Sequence, residues 1–354
     1  MRSLDLEPRR AVARRGRFFV DPVELTRALV AVESPTGAEG PVVGLLAGVL
    51  ERAGYRVTRQ PVSPGRDNLY AWREPPAVVF STHLDCVPPY VPLREDDEWL
   101  HGRGSCDAKG LAAAMAAAAE RLAERGERRV GLLFVVGEEN GSDGAHAAAA
   151  LEPKGRFLVN GEPTENRLCI GQKGSLRCDL EATGQAAHSA YPDEGHSAVE
   201  ALLDTLERIR ALELPVDALL GPSTLNVGTI QGGVAPNVLA PSARAQVLIR
   251  TVGPTDGLKA QLAALAAPGV RLSIGLEIPA YTYKGTAPAG WETTVVSYAS
   301  DLPFYAGWGR RFQLGPGTIR VAHTDAERIR KADLHRGVEL YVRLASDLLA
   351  EEAA

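Results

Sequence analysis

The chain has 354 residues, of which 45% are apolar and 23% charged, with a formal net charge of -5 at neutral pH. That length exceeds what one hydrophobic core usually supports, so two domains are expected. The mildly acidic balance offers no electrostatic case for nucleic acid or a membrane surface as partner, and no apolar stretch approaches the roughly 20 residues of a membrane helix.

Residues 1–21 read as a solvated, disordered basic tail: six arginines fall in the first 20 positions, and Asp5 and Glu7 argue against a transit peptide. The four cysteines (Cys86, Cys106, Cys169, Cys178) form no CxxC pair, and no secretory apolar segment opens the chain. A reducing, cytoplasmic setting is therefore expected, with the cysteines as small apolar fillers. Val23 to Ala53 has helical periodicity, interrupted by the turn-like Ser34-Pro35-Thr36-Gly37. The apolar run Ala77–Phe80 predicts a buried strand ending at Ser81-Thr82-His83-Leu84-Asp85. The glycine-rich loop Gly102–Gly110 leads into a helix over Leu111–Arg125, with Gly126 as its stop. Val130–Val136 and Phe157–Val159 predict two more strands, delivering Glu138-Glu139 and Glu162. This alternation indicates an α/β fold, a mostly parallel sheet between helix layers.

The texture changes near Ser175, where Leu176, Cys178, Leu180 and Ala182 alternate with charged residues as in a half-exposed strand. A helix over 197–212, strands over 224–230 and 243–250, a helix over 256–266 and a strand over 270–278 complete a β-α-β-β-α-β, ferredoxin-like order. From about Gly285 the α/β texture returns. The expected organisation is a catalytic domain over 22–174 and 285–354, interrupted by an inserted domain over 175–284.

Five potential metal ligands (His83, Asp107, Glu139, Glu162 and His323) are each read as lying just beyond a strand. In an open α/β sheet, loops at the carboxyl ends of the strands converge on one crevice. Two imidazoles and three carboxylates suit two divalent ions, zinc first and cobalt or manganese as alternatives. If Asp107 is shared, three carboxylates and a hydroxide neutralise the four positive charges. Each residue alone has a plainer reading. His83-x-Asp85 equally describes a polar strand end, although Asp85 is placed to fix the imidazole. Asp107 equally describes an ordinary acid at a helix start. Glu138-Glu139 equally describes a solvated acidic turn, though its neighbouring side chains diverge, so one can bind metal while the other faces water. The case rests on the five occurring together.

The strings STHLDCVPP, HGRGSCDAKG, VVGEENGS, NGEPTE, GQAAHSAYP, GGVAPNVL and LGPGTIRVAHTDAE resemble, in order, those of the metal-dependent aminoacylase family, over about residues 22–350. That family includes acetylornithine deacetylase, succinyl-diaminopimelate desuccinylase and several di- and carboxypeptidases. The resemblance implies that His83 and Glu162 hold one zinc, Glu139 and His323 the other, and Asp107 bridges them. It implies Glu138 as general base and Asp85 as the clamp on His83. It also implies a homodimer through the inserted domain, with His188 reaching the partner subunit's site to stabilise the oxyanion. Asn237 and Arg250 match substrate-contacting positions, and Gly315-Pro316-Gly317 matches a loop near the substrate carboxylate. Cys86 departs from the family, where Thr is more usual.

Within the resemblance, the chain length and the run Tyr298–Phe304 point to a small N-acyl amino acid, such as N-acetylornithine or an N-acyl-lysine. Desuccinylation, with Lys173 or Arg177 as the extra cation, and dipeptide or carboxypeptide hydrolysis are the alternatives. A non-catalytic binding protein on the same fold is the remaining rival, and it would be signalled by a lost ligand.

Overall fold

The computed structural model describes residues 20–283 and 287–353. Most of the expected basic tail, and the expected domain boundary at 284/285, lie outside the described residues. Asp21, assigned to that tail, belongs to the fold: its carboxylate accepts the N–H groups of Val23 and Glu24 at 2.9 Å and caps the helix Pro22–Val30.

The chain divides into two compact units. One comprises the described residues up to Ile170 with Tyr283–Thr294 and Phe304–Ala354; the other comprises Gly171–Thr282 and Val295–Pro303. The return of Val295–Pro303 to the second unit was not expected, because that segment carries no periodicity that separates it from its neighbours.

In the first unit the strands run, in spatial order, Arg56–Ser63, Arg66–Trp72, Val130–Val135, Val78–His83, Phe157–Asn160, Arg310–Gln313 and Leu168–Gln172. The middle four are mutually parallel, and the strands beyond them are antiparallel. The sheet is thus a parallel core with antiparallel flanks. The hairpin Arg56–Trp72 escaped the sequence reading because its first strand is largely exposed and has no apolar run. By contrast, Val78–His83, Val130–Val135 and Phe157–Asn160 are buried throughout, which is why they read as continuous apolar segments.

The helix Lys109–Glu124 is buried on every side from Lys109 to Glu120. It packs against the helices Pro22–Val30 and Lys331–Ala353 and the strands Val78–His83 and Val130–Val135. Its alanine run lets these neighbours approach from all directions, so this is a central helix and not an amphipathic surface one. It stops at Gly126, whose φ of +93° suits glycine.

The second unit carries a four-stranded antiparallel sheet in the order Thr224–Gly232, Ser242–Thr251, Gly174–Thr183, Val270–Ile278. Leu176, Cys178, Leu180 and Ala182 meet Val247, Ile249 and the apolar faces of the helices Ala198–Arg210 and Asp256–Ala264 in one core. The alternation seen in sequence is that of a sheet with one covered face.

Candidate active site

Parallel register places three of the expected ligands at one end of the first unit's sheet. His83 pairs with Val135, and Ser81 pairs with Asn160, so the residues after these strands emerge side by side. Glu138 and Glu139 follow on a turn that begins at Gly137, with φ of +79°. Glu162 lies two positions past its strand and is buried. The other two do not follow strands directly, contrary to expectation. Asp107 sits in the loop before the helix Lys109–Glu124, and His323 in a left-handed turn with φ of +61°.

Four of the five side chains meet. His83 Nε2 lies 3.0 Å from Asp107 Oδ1, while Asp107 Oδ2 lies 3.3 Å from His323 Nε2. His323 Nε2 is also 3.1 Å from Glu139. One donor atom each from His83, Asp107 and Glu139 falls within 4.8 Å of the others. Nitrogen and carboxylate donors this close, with two buried and the third half-buried, fit a divalent cation. Asp107 presents one oxygen to each imidazole, the disposition a bridging ligand needs. Glu162 follows the neighbouring strand, and its Oε1 accepts from Asn160 Nδ2 at 3.4 Å.

The electrostatics of the metal-free cluster follow from this packing. Burial opposes a charge on His83, but hydrogen bonds to Asp107 and Asp85, with the nearby charge of Glu138, raise its pKa well above the usual imidazole value. Hydrogen bonds to Asp107 and Glu139 raise His323 to about 10. Asp107 resists the burial that would protonate it, because both imidazoles hydrogen-bond to it, and it is lowered. Glu139, desolvated and repelled by Asp107, is raised despite its bond to His323.

Asp85 has more contacts than a histidine clamp requires. His83 Nδ1 is 3.0 Å from the Asp85 carbonyl oxygen and 3.5 Å from its Oδ1. The carboxylate also accepts the N–H groups of Glu138 and Glu139 at 3.1 Å each and the Thr36 hydroxyl at 2.8 Å. One buried acid thus links the His83 strand to the Glu138-Glu139 turn.

Gly315 and Gly317 lie in the first unit and have packing roles of their own. A Cβ at Gly315 would fall 2.5 Å from both the Glu162 carbonyl oxygen and Leu111 Cδ2. Gly317 has φ of +84°, and a Cβ there would meet Cys106 Sγ at 2.5 Å. His188, Asn237 and Arg250 belong to the second unit. His188 and Asn237 are exposed, on segments joined by a bond from Ser189 N–H to the Asn237 carbonyl at 3.0 Å, and Arg250 is half-buried in the strand Ser242–Thr251. All four cysteines are buried and free. Cys86 donates weakly to the Asp107 carbonyl at 3.8 Å, and burial pushes its thiol up to about 12, as expected of a filler and not a ligand.

Sequence reasoning missed two supports. Arg66 bridges Glu39 at 2.9 Å and Asp143 at 2.5 Å, securing the far side of the acidic turn. Glu327 is buried beneath the Asp107 loop and accepts the N–H groups of Gly104, Cys106 and Asp107. An acid four residues after His323 in an exposed-looking string carries no local signal of either contact.

The sequence pattern of peptidase family M20/M25/M40 matches residues 79–347. The chain belongs to that family. A peptidase M20 domain-containing protein of Schizosaccharomyces pombe is 38% identical over 333 residues, covering 91% of this chain and 83% of its own length. A probable carboxypeptidase of Neosartorya fischeri is 35% identical over 371 residues, covering 90% and 84% respectively. Among solved structures, a tripeptidase from Staphylococcus aureus superposes with a TM-score of 0.75 at 21% identity, covering 92% of this chain and 98% of that one. An M20 family metallo-carboxypeptidase from Sulfolobus solfataricus gives 0.74 at 16% identity, covering 93% and 99%. At such identities these two speak for the fold alone. Peptidase family M20/M25/M40 is a family of metal-dependent hydrolases, commonly zinc-dependent, and this member is an enzyme of that kind. The aminoacylase resemblance is thereby placed in a broader family whose similar members carry peptidase names.

Proposed function

We propose that the chain hydrolyses linear amides whose amine half is an amino acid, with a peptide's C-terminal residue as the preferred leaving group. The observation that carries the reaction type is Asp107 between the two imidazoles, beside a half-buried acidic turn. The substrate class is supported by the probable carboxypeptidases that resemble it along most of their length. A divalent pair on His83, Glu162, Asp107, Glu139 and His323 would polarise the scissile carbonyl and acidify the attacking water. Glu138 takes the proton from that water as the C–O bond forms. It returns the proton to the amide nitrogen as the C–N bond breaks, giving a carboxylic acid and a free amine. Asp85 sets Glu138 in place through the backbone. In a homodimer, His188 would reach the partner subunit's site and stabilise the oxyanion there, while Asn237 and Arg250 would bind substrate, Arg250 pairing with an α-carboxylate.

Removal of an acetyl or similar acyl group from an amino acid, as in acetylornithine deacetylase, is the second reading; it shares the amine half and differs in the acyl half. The test is a panel of dipeptides, tripeptides, N-acetylornithine, N-acetyl-lysine and N-succinyl-diaminopimelate, run with added zinc, cobalt or manganese. Peptide turnover exceeding deacylation by tenfold or more in kcat/KM supports the first reading. The reverse ratio supports the second, and no turnover of any member rejects both.

A further inference from the structure

We propose that Glu327 is a positioning residue for the shared carboxylate of the metal centre, orienting Asp107 by gathering the loop's backbone around one buried oxygen. Its Oε1 accepts three N–H groups, from Gly104 at 2.9 Å and from Cys106 and Asp107 at 3.1 Å each. Its Oε2 accepts from Arg103 Nη1 at 2.6 Å, and the Glu327 side chain is fully buried. Two further bonds tie the same segments: the Gly102 N–H donates to the Glu327 carbonyl at 3.0 Å, and the side-chain Nη1 of Arg103 donates to the Thr324 carbonyl at 3.2 Å.

These contacts have a geometric consequence. Asp107 can offer one oxygen to each imidazole only if its backbone points the carboxylate between them, and its own N–H is among the three that Glu327 holds. Glu327 also lies four residues after His323, so one side chain sets both the direction of Asp107 and its separation from a second ligand. A neutral amide of the same size cannot reproduce this arrangement: a carbonyl facing the three N–H groups turns its NH₂ toward Arg103, donor against donor.

The inference rests on the metal-centre reading, and the experiment separates the two. Metal-free wild-type protein is titrated with Zn²⁺ by calorimetry and with Co²⁺ by visible absorption. Two equivalents are expected, and failure of the wild type to bind them overturns the metal reading itself. In Glu327→Gln, at least one equivalent is expected to weaken about 10–100-fold, as for other groups that orient a ligand, and the Co²⁺ spectrum is expected to shift. Glu120→Gln is the control: it breaks a similarly enclosed pair with Arg73 in the same unit. It should lower Tm while leaving both affinities within about twofold of wild type. Retention of both affinities by Glu327→Gln, or an equal loss in Glu120→Gln, overturns the positioning role. Should Glu327→Gln fail to fold, hydrogen exchange on metal-free wild type decides. The amides of Gly104, Cys106 and Asp107 are expected to exchange at least about 100-fold more slowly than free peptide, and free-peptide rates there overturn the proposal.

Discussion

At the scale of single residues, the proposed function divides labour between two chemically identical groups on one turn, Glu138 and Glu139. Both backbone N–H groups are fixed by the same Asp85 carboxylate, yet only Glu139 has His323 at 3.1 Å. In the proposed mechanism Glu138 is the acid that handles protons. Glu138→Gln should therefore keep both metal equivalents while kcat falls by on the order of 10²–10⁴; elemental analysis of the purified variant alongside its steady-state kinetics checks this, and substantial remaining turnover removes Glu138 from the role. Asp85→Ala should act differently. It strips two backbone anchors and the carboxylate 3.5 Å from His83 Nδ1, leaving only the carbonyl contact, so metal affinity should drop by about 10–100-fold together with activity, measurable by competition with a chelator.

At the scale of elements, the site depends on close approach between segments that are distant in sequence. The Gly315–Gly317 loop lies against the Glu162 segment, with the Gly315 N–H donating to Thr164 Oγ1 at 2.9 Å and its carbonyl accepting from Asn166 N–H at the same distance. A methyl group at Gly315 would overlap the Glu162 carbonyl and Leu111. Gly315→Ala should cost about 1–3 kcal/mol by overpacking and should move Glu162, so urea unfolding and metal affinity should change together. A stability loss with unchanged metal binding would show that the loop is only a structural wedge. The central helix Lys109–Glu124 works by the same economy: alanine at nearly every turn lets strands and helices close around it, and Asp107 is carried at its buried start.

At the scale of the whole molecule, the charge stored in the cluster sets its response to pH. The histidines are protonated in the folded metal-free state well above the ordinary value of 6.5, His323 up to about 10. A raised pKa in the folded state contributes stability that is complete below 6.5 and disappears as pH climbs through about 10. Metal-free protein should accordingly lose stability between pH 7 and pH 10, seen as a falling Tm, and metal-loaded protein should resist the change. Loading at pH 7 should release about two protons, which calorimetry in buffers of different ionisation enthalpy measures; uptake, or no release, would show the imidazoles already neutral. Association of two copies through the second unit is a proposal at this scale. The outermost strand of its sheet, Thr224–Gly232, is largely exposed, as are Leu203 and Val234, and a pairing edge of this kind is normally covered. Ile230→Glu should convert a dimer to a monomer in light scattering.

The amino-acid sequence by itself determined the apolar runs of three buried strands, the alternating strands of the second unit, and His83, Glu138, Glu139 and Glu162 at or just beyond strand ends. Each of these is written in the local spacing of apolar side chains, which responds to burial on one face or two. The hairpin Arg56–Trp72, the return of Val295–Pro303 to the second unit, and the supports Arg66 and Glu327 were decided only by tertiary structure. Their partners lie far along the chain, and a buried carboxylate that collects backbone N–H groups has no periodicity to betray it. The same reason explains why Asp107 and His323, which sit on loops and not at strand ends, were found by residue type while their meeting was found only in space.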